Sequence, residues 1–335
     1  MDLSSIPPET AANASLSVVL PVLNEAPALA TLLPALAQVL GPCGVAWEIV
    51  IVDDGSTDTL PQVVAAFERQ HAGISMQVLH LSRNFGKEAA LTAGLAAARG
   101  DAVVCMDGDG QHPPALLPTL VAHWRDGAQM VIAMQRSRAH EQRWTSCAKG
   151  LFYRLLQGGE RFRIPAGAGD FRLMDRRVVQ AMLQLSERAR FMKGLYAWLG
   201  FRTVTVPYDA APRCAGASKF PLCRLLELAS LGITSFSMKP LRMVSAIGGA
   251  ISLCAVGYGI YIAIDALVVG NPVSGWATLA SGMMLLSGIQ LLCLGVIAEY
   301  LGYIFEETKQ RPLYVIDEVI DHSTLGRRAA ARTAP

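Results

Sequence analysis

Hydrophobic and polar positions change their rhythm along this chain. From Leu16 to Met134, short runs of apolar and β-branched residues alternate with stretches that suit helices. The runs are LSVVL (16–20), WEIVIV (47–52), MQVLHL (76–81), AVVCM (102–106) and MVIAM (130–134). Between them lie segments such as Lys87–Arg99, alanine-rich and followed by Gly100, which suits a C-cap. Near-continuous apolar strands alternating with helices predict an α/β fold, a mostly parallel sheet with helices on both faces. Ligands of such sheets bind beyond the carboxyl ends of the strands. The chemistry should therefore follow these runs.

Further on, the alternation stops. Met243–Ile264 holds no charged residue over 22 positions and Ala266–Ala298 none over 33. About 20 apolar residues cross a bilayer core of ~30 Å, so the pattern predicts a two-helix transmembrane hairpin, 243–264 and 275–298, within 240–305. A turn near Gly270-Asn271-Pro272 joins the helices. Lys239 and Arg242 precede the hairpin, Lys309 and Arg311 follow it, and the turn has no Lys or Arg. By the positive-inside rule both ends lie in the cytoplasm. Two buried core helices are the alternative, and they need a large partner to hide them. Upstream, Trp144, Ala148, Leu151 and Leu155 share one face of Gln142–Gln157, and Leu222, Leu225, Leu226, Ala229 and Ile233 share one face of Pro221–Ile233. Both read as amphipathic helices in the membrane interface, although helices packed on the sheet fit each segment as well. The expected division is a flexible N-terminus (1–14), a cytoplasmic α/β domain (15–220) including the 142–157 helix, a second interface helix (221–239), the hairpin, and a cytoplasmic tail (306–335).

Composition agrees with a partly lipid-embedded chain. Of 335 residues, 52% are hydrophobic and only 17% charged, against about 25% charged in soluble chains. That excludes a disordered or collagen-like chain. A net charge of +2 argues against nucleic acid as a partner. The charge is uneven, however: Arg136 to Lys193 carries 13 basic and 5 acidic residues, a local +8 that suits an anionic surface or ligand. Seven cysteines, an odd count without a CxxC pair, read as reduced thiols in the cytosol and not as disulfides or a zinc site. The first fifteen residues lack the basic start and apolar core of a signal peptide.

Four of the predicted strands end in polar clusters. Asp107-Gly108-Asp109 follows AVVCM, and two carboxylates one residue apart at a strand end can hold a divalent cation. A plain Asp-Gly turn is the bland alternative. An EF-hand fails because Gln111 and Pro118 stand where ligands are needed, and a dinucleotide GxGxxG fails at Pro113. No P-loop or HExxH occurs. Asp53-Asp54-Gly55-Ser56-Thr57-Asp58 follows the second run; its small polar residues suit a helix cap, but two consecutive acids at the mouth of a parallel sheet are not explained that way. Pro21-Val22-Leu23-Asn24-Glu25 follows the first run and Arg83-Asn84-Phe85-Gly86-Lys87 the third.

Taken together, SVVLPVLNE, IVDDGSTD, LSRNFGKEAALTAGLAAARGD and MDGDGQHPP resemble glycosyltransferase family 2, with its GT-A fold. The later pieces GAGDFRLMDRRVV (167–179), RFMKGLYAWLGF (190–201) and APRCAGASKFPLCRLLELASLGITSFSMKPLR (211–242), followed by two membrane spans, resemble the polyprenyl-phosphate glycosyltransferases of that family. The resemblance covers about residues 15–316. It implies an inverting enzyme of the inner (plasma) membrane. A nucleotide-sugar donor, expected to be a UDP-sugar, gives its sugar to the phosphate of a polyprenyl phosphate such as undecaprenyl phosphate. Pro21, Leu23, Glu25, Asp53, Asp54, Gly86, Lys87 and Asp107 are implied around the donor nucleotide. Asp107 and Asp109 are implied to bind Mg²⁺ or Mn²⁺, Asp170 to stand at the catalytic position, and Arg213, Ser218 and Lys219 to reach the phosphates. Some relatives are tetramers, which makes a homo-oligomer the implied assembly. One departure matters: members commonly read DADLQDP or DADLQNP, whereas this chain has His112 in place of the Asp or Asn, and its role stays open.

Two other functions compete. A processive polysaccharide synthase usually carries QxxRW, but the nearest match here has His140 in place of the Gln. A non-catalytic nucleotide-sugar-binding scaffold would be expected to lack an aspartate of the DxD pair or the Arg213–Lys219 loop, and both are present.

Overall fold

The computed structural model describes residues 14–71, 73–136, 168–188, 190–209, 239–269 and 275–325. They divide into two compact units: the described residues up to 209 together with those from Arg311 onward, and those from Lys239 to Gln310.

All five apolar runs become strands: β1 (Ser15–Val22), β2 (Ala46–Asp53), β3 (Met76–Leu81), β4 (Ala102–Cys105) and β5 (Met130–Gln135). Helices α1 (Ala26–Leu40), α2 (Leu60–Gln70), α3 (Lys87–Ala97) and α4 (Leu117–Arg125) follow the first four. Three more strands, β6 (Ala168–Asp175), β7 (Thr203–Tyr208) and β8 (Ile316–Asp321), complete the sheet, with α5 (Arg176–Gln184) and α6 (Met192–Trp198) after β6. The strand order is β7-β5-β6-β4-β1-β2-β3-β8. β6 and β8 run against the other strands, so the sheet is mostly parallel, as expected. The helical stretch Ala26–Cys43, which is α1 and the 3-10 turn after it, is long and apolar enough to cross a membrane, but its Leu29, Leu33, Leu36 and Leu40 are fully buried in the core over the sheet.

Two details differ from the expectation. α3 ends at Ala97, so Gly100 is not its C-cap. A Cβ at Gly100 would lie 2.6 Å from Ser17 N and 2.8 Å from Leu16 C, so the glycine is required because backbone crosses backbone there. The other difference concerns the segment read as a tail, whose residues 316–321 form edge strand β8 against β3. Glu48 helps hold it. Fully buried, Glu48 accepts from Ser17 Oγ (2.6 Å), Gln77 Nε2 (3.0 Å), Arg99 N (2.7 Å) and Ser323 Oγ. Such a carboxylate is tolerated because its oxygens are hydrogen-bonded. Arg99 also grips Asp321 through both terminal nitrogens, at 3.2 and 2.5 Å.

In the second unit, α7 (Lys239–Val269) and α8 (Trp276–Thr308) run for 31 and 33 residues. At 1.5 Å per residue each is about 45–50 Å long, more than a ~30 Å bilayer core requires. Leu253, Val268, Leu291 and Phe305 are exposed, and none of the apolar stretch Leu285–Thr308 is buried. A water-soluble helix hides such residues; these helices present them outward.

Candidate active site

Polar residues gather where β1 to β4 end. Asn24 takes a left-handed conformation (φ 54°), and its Oδ1 accepts from Thr57 N at 2.8 Å while its own N–H donates to Ser56 Oγ at 2.9 Å. Asp58 accepts from Ala26 N (2.9 Å) at the start of α1 and from Leu60 N (3.1 Å) at the start of α2. The capping role read from the sequence thus falls to Asp58, and for two helices at once. Ser56 and Thr57 clasp the β1 loop instead.

The two consecutive acids are engaged within the protein. Asp53 accepts from Ser56 N (2.8 Å) and meets His80 Nδ1 (2.9 Å). Asp54 accepts from Phe85 N (2.7 Å) and Gly86 N (2.9 Å), joining the β2 and β3 loops. Burial raises the Asp54 pKa, against the opposing pull of those two amides. Pro21, Leu23 and Glu25 lie on the β1 side, with Leu23 exposed. A Cβ on Gly108 would come within 2.7 Å of Glu25 Oε2 and 2.6 Å of Val22 Cγ1, so the Asp107–Asp109 turn sits directly against that loop.

Strand register brings Asp170 into the site. β6 runs antiparallel to β4 with Cys105 opposite Arg172, and the same register continued by two residues sets Asp107 opposite Asp170. Lys87, at the start of α3, lies between them, its Nζ 2.7 Å from Asp107 Oδ1 and 2.8 Å from Asp170 Oδ2. Burial works against the Lys87 charge, but Asp170 and Asp107 outweigh it and raise its pKa. Burial likewise pushes Asp170 up, yet Lys87, then Arg172 and Lys193, bring it below its ordinary value. Asp170 is therefore held ionised.

Beneath this triad is a buried polar layer to which the sequence reading assigned no role. The Arg172 guanidinium stacks on the Tyr196 ring at 3.6 Å, and both residues are buried. Burial, with Asp170 adding to it, pushes the Glu88 carboxyl up to about 8. Burial also takes the Cys105 thiol to about 12, which leaves it inert. His112 accepts from Asp107 N through Nδ1 at 2.9 Å and stacks on Phe171 with 4.7 Å between centroids; burial lowers its pKa, so its ring is neutral. Arg172, Tyr196 and Glu88 all lie inside the quoted motifs, but only their three-dimensional neighbours reveal their roles.

The donor set suits a hard divalent cation. Asp107 and Asp109 supply carboxylate oxygens, and among the described residues no group of three His, Cys, Asp or Glu could form a closed metal cage. That pairing matches an ion held by one or two carboxylates together with substrate phosphates. Arg213, Ser218, Lys219, the N-terminus, the segments read as interface helices (142–157 and 221–238) and residues 270–272, read as a turn, lie outside the described residues.

Residues 17–183 match the Glycosyl transferase family 2 model and residues 239–304 match the GtrB C-terminal hairpin. An uncharacterized glycosyltransferase of Synechocystis sp. is 42% identical over 305 residues, 91% of this chain and 95% of its own length. The chain belongs to glycosyltransferase family 2. This family 2 enzyme is also 41% identical to a bactoprenol glucosyl transferase of Shigella phage SfV, over 90% of this chain and 97% of the phage protein. Among solved structures, a mannosyltransferase of Pyrobaculum calidifontis in complex with GDP-Man and Mn²⁺ is 18% identical and covers 89% of this chain and 90% of its own, with a TM-score of 0.45. The sheet of the family 2 enzyme is of the GT-A type, and the protein is a glycosyltransferase.

Proposed function

We propose that this glycosyltransferase moves a sugar from a nucleotide-sugar donor, a UDP-sugar, to the phosphate of a membrane polyprenyl phosphate, with inversion at the sugar carbon. The observation that carries this reading is the Lys87 bridge. In this reading it joins Asp107, on the donor side, to Asp170, on the acceptor side, in a chain that also matches the GtrB C-terminal hairpin. Likeness to bactoprenol glucosyl transferases over nine-tenths of the chain supports the acceptor.

In this reading Asp107 and Asp109 hold Mg²⁺ or Mn²⁺. The ion, when bound, offsets charge developing on the departing diphosphate. Pro21, Leu23, Glu25, Asp53, Asp54, Gly86 and Lys87 surround the nucleotide. The Asp54 bonds to Phe85 and Gly86 assign it to shaping that pocket. A phosphate monoester has a second pKa of ~6, so the nucleophile is largely ionised at neutral pH. Asp170, held ionised below its usual range, makes a poor proton acceptor there. It keeps Lys87 aimed between donor and acceptor, while Arg213, Ser218 and Lys219 reach the phosphates.

Both ends of the hairpin lie in the cytoplasm in this reading. Two facts support it: the basic flanks, and the pairing of β8, which follows Gln310, with β3, which precedes Lys239, as expected of flanks on one side. A homo-oligomer, a tetramer by the family resemblance, completes the proposal.

The test is incubation of membranes and undecaprenyl phosphate with radiolabelled nucleotide sugars, counting the organic phase. No transfer from any donor would overturn the acceptor assignment. For Asp170, the Asn variant should raise the lipid KM more than it lowers kcat and keep an acidic limb near pH 6, the acceptor's own range. A kcat loss of ~10²-fold together with disappearance of that limb would make Asp170 a base.

A further inference from the structure

The segment from Asp107 to His112 closes on itself. Met106 N still donates to Val19 O, at 3.1 Å, but the next amide, Asp107 N–H, donates to a side chain, His112 Nδ1, at 2.9 Å. In between, Gly110 turns the chain at φ 76° and Gln111 N donates to Asp109 Oδ1 at 3.0 Å. The bond back to Asp107 needs a lone pair on Nδ1, so the ring proton sits on Nε2. The ring itself is fixed. His112 is 8% exposed, lies nearly flat on Phe171 (interplanar angle 16°) and meets Tyr208 edge-on, at 6.1 Å. Phe171 directly follows Asp170, and Tyr208 ends β7.

We propose that His112 is a positioning residue: it closes the loop that presents Asp107 and Asp109, and through Phe171 it keys that loop to Asp170. The inference rests on the metal assignment above and adds the group that holds the two carboxylates in place. Without an acceptor at position 112, Asp107 N–H loses its partner and the loop can open. Partners one step removed from a metal typically govern affinity by 10- to 100-fold through such orientation.

The acceptor and the ring can be separated by substitution. His112→Phe keeps a flat ring for Phe171 and removes the acceptor. His112→Asn places Oδ1 at the same number of bonds from Cα as Nδ1 and removes most of the ring. Full-length protein in detergent would be titrated with Mn²⁺, following the electron paramagnetic resonance signal of the free ion, with Tm recorded alongside. The Phe variant should bind Mn²⁺ about tenfold more weakly or worse at a Tm near the parent's, while the Asn variant should bind it like the parent. Should the Phe variant not fold, His112→Leu, close to Asn in shape and without an acceptor, replaces it. Parental Mn²⁺ affinity in the Phe or Leu variant, or an Asn variant as weak as either, would overturn the role of His112. A parent that binds no Mn²⁺ would overturn the metal assignment along with it.

Discussion

At the scale of single residues, the site is a balance of charges set by burial. Lys87 holds two carboxylates at 2.7 and 2.8 Å. Its replacement by Met leaves Asp107 and Asp170 facing each other without a cation. We expect kcat to fall by about 10²-fold or more, the range for removing a positioned electrostatic group. The Asp170 carboxyl itself should titrate at higher pH, because Lys87 is the main group lowering its pKa, while the acidic limb of the rate profile, set by the acceptor phosphate, should stay near pH 6. Glu88 offers a measurement on stability. Its carboxyl stands at about 8 in the fold against 4.5 in a free chain. Between those values the unfolded chain gives up the proton while the folded one keeps it, so stability falls as pH rises through that window. Thermal unfolding of Glu88→Gln from pH 4 to 9 should lack this decline and exceed the parent in Tm above pH 7. Equal slopes for the two proteins would show that Glu88 ionises normally.

At the scale of elements, Asp58 deserves its own variant because it caps α1 and α2 together. Asp58→Ala should cost about 1–2 kcal/mol in denaturant unfolding, the upper range for one lost cap. The hairpin can be mapped by cysteines in a thiol-free background. One at Ser274, between the helices, should react with an impermeant maleimide outside intact cells, and one at exposed Asp317 in β8 should stay unlabelled. Ser323 would make a poor reporter, since it is buried and bonded to Glu48. The elements also show what could be read in advance. β1 to β5 were legible because central parallel strands must be apolar on both faces. β6 was not, because Asp170, Arg172 and Asp175 break its apolar run, and each is placed by a partner distant in sequence. β8 reads IDEVID and lies exposed at an edge, so nothing in its composition marks it as a strand. At the site, the four loop clusters were legible as strand-end chemistry. The Asp54 link to Phe85 and Gly86, the Asp58 double cap and the His112 closure were not, since each depends on tertiary proximity.

At the scale of the whole molecule, the sheet begins before the hairpin and ends after it. β3 pairs with β8, whose residues come more than two hundred positions later, and Ser323 then reaches back to Glu48 in β2. A chain ended at residue 310 should therefore expose the β3 edge and leave Glu48 one donor short, and we expect it to sediment as aggregate where the full chain stays dispersed in detergent. The same arrangement sets a schedule for synthesis. Seven of the described strands have left the ribosome before α7 emerges, yet the eighth cannot join them until both α7 and α8 have been translated. Completion of the sheet thus waits on synthesis of both long helices, and during that interval a nascent chain presents an open strand edge to the cell's chaperones.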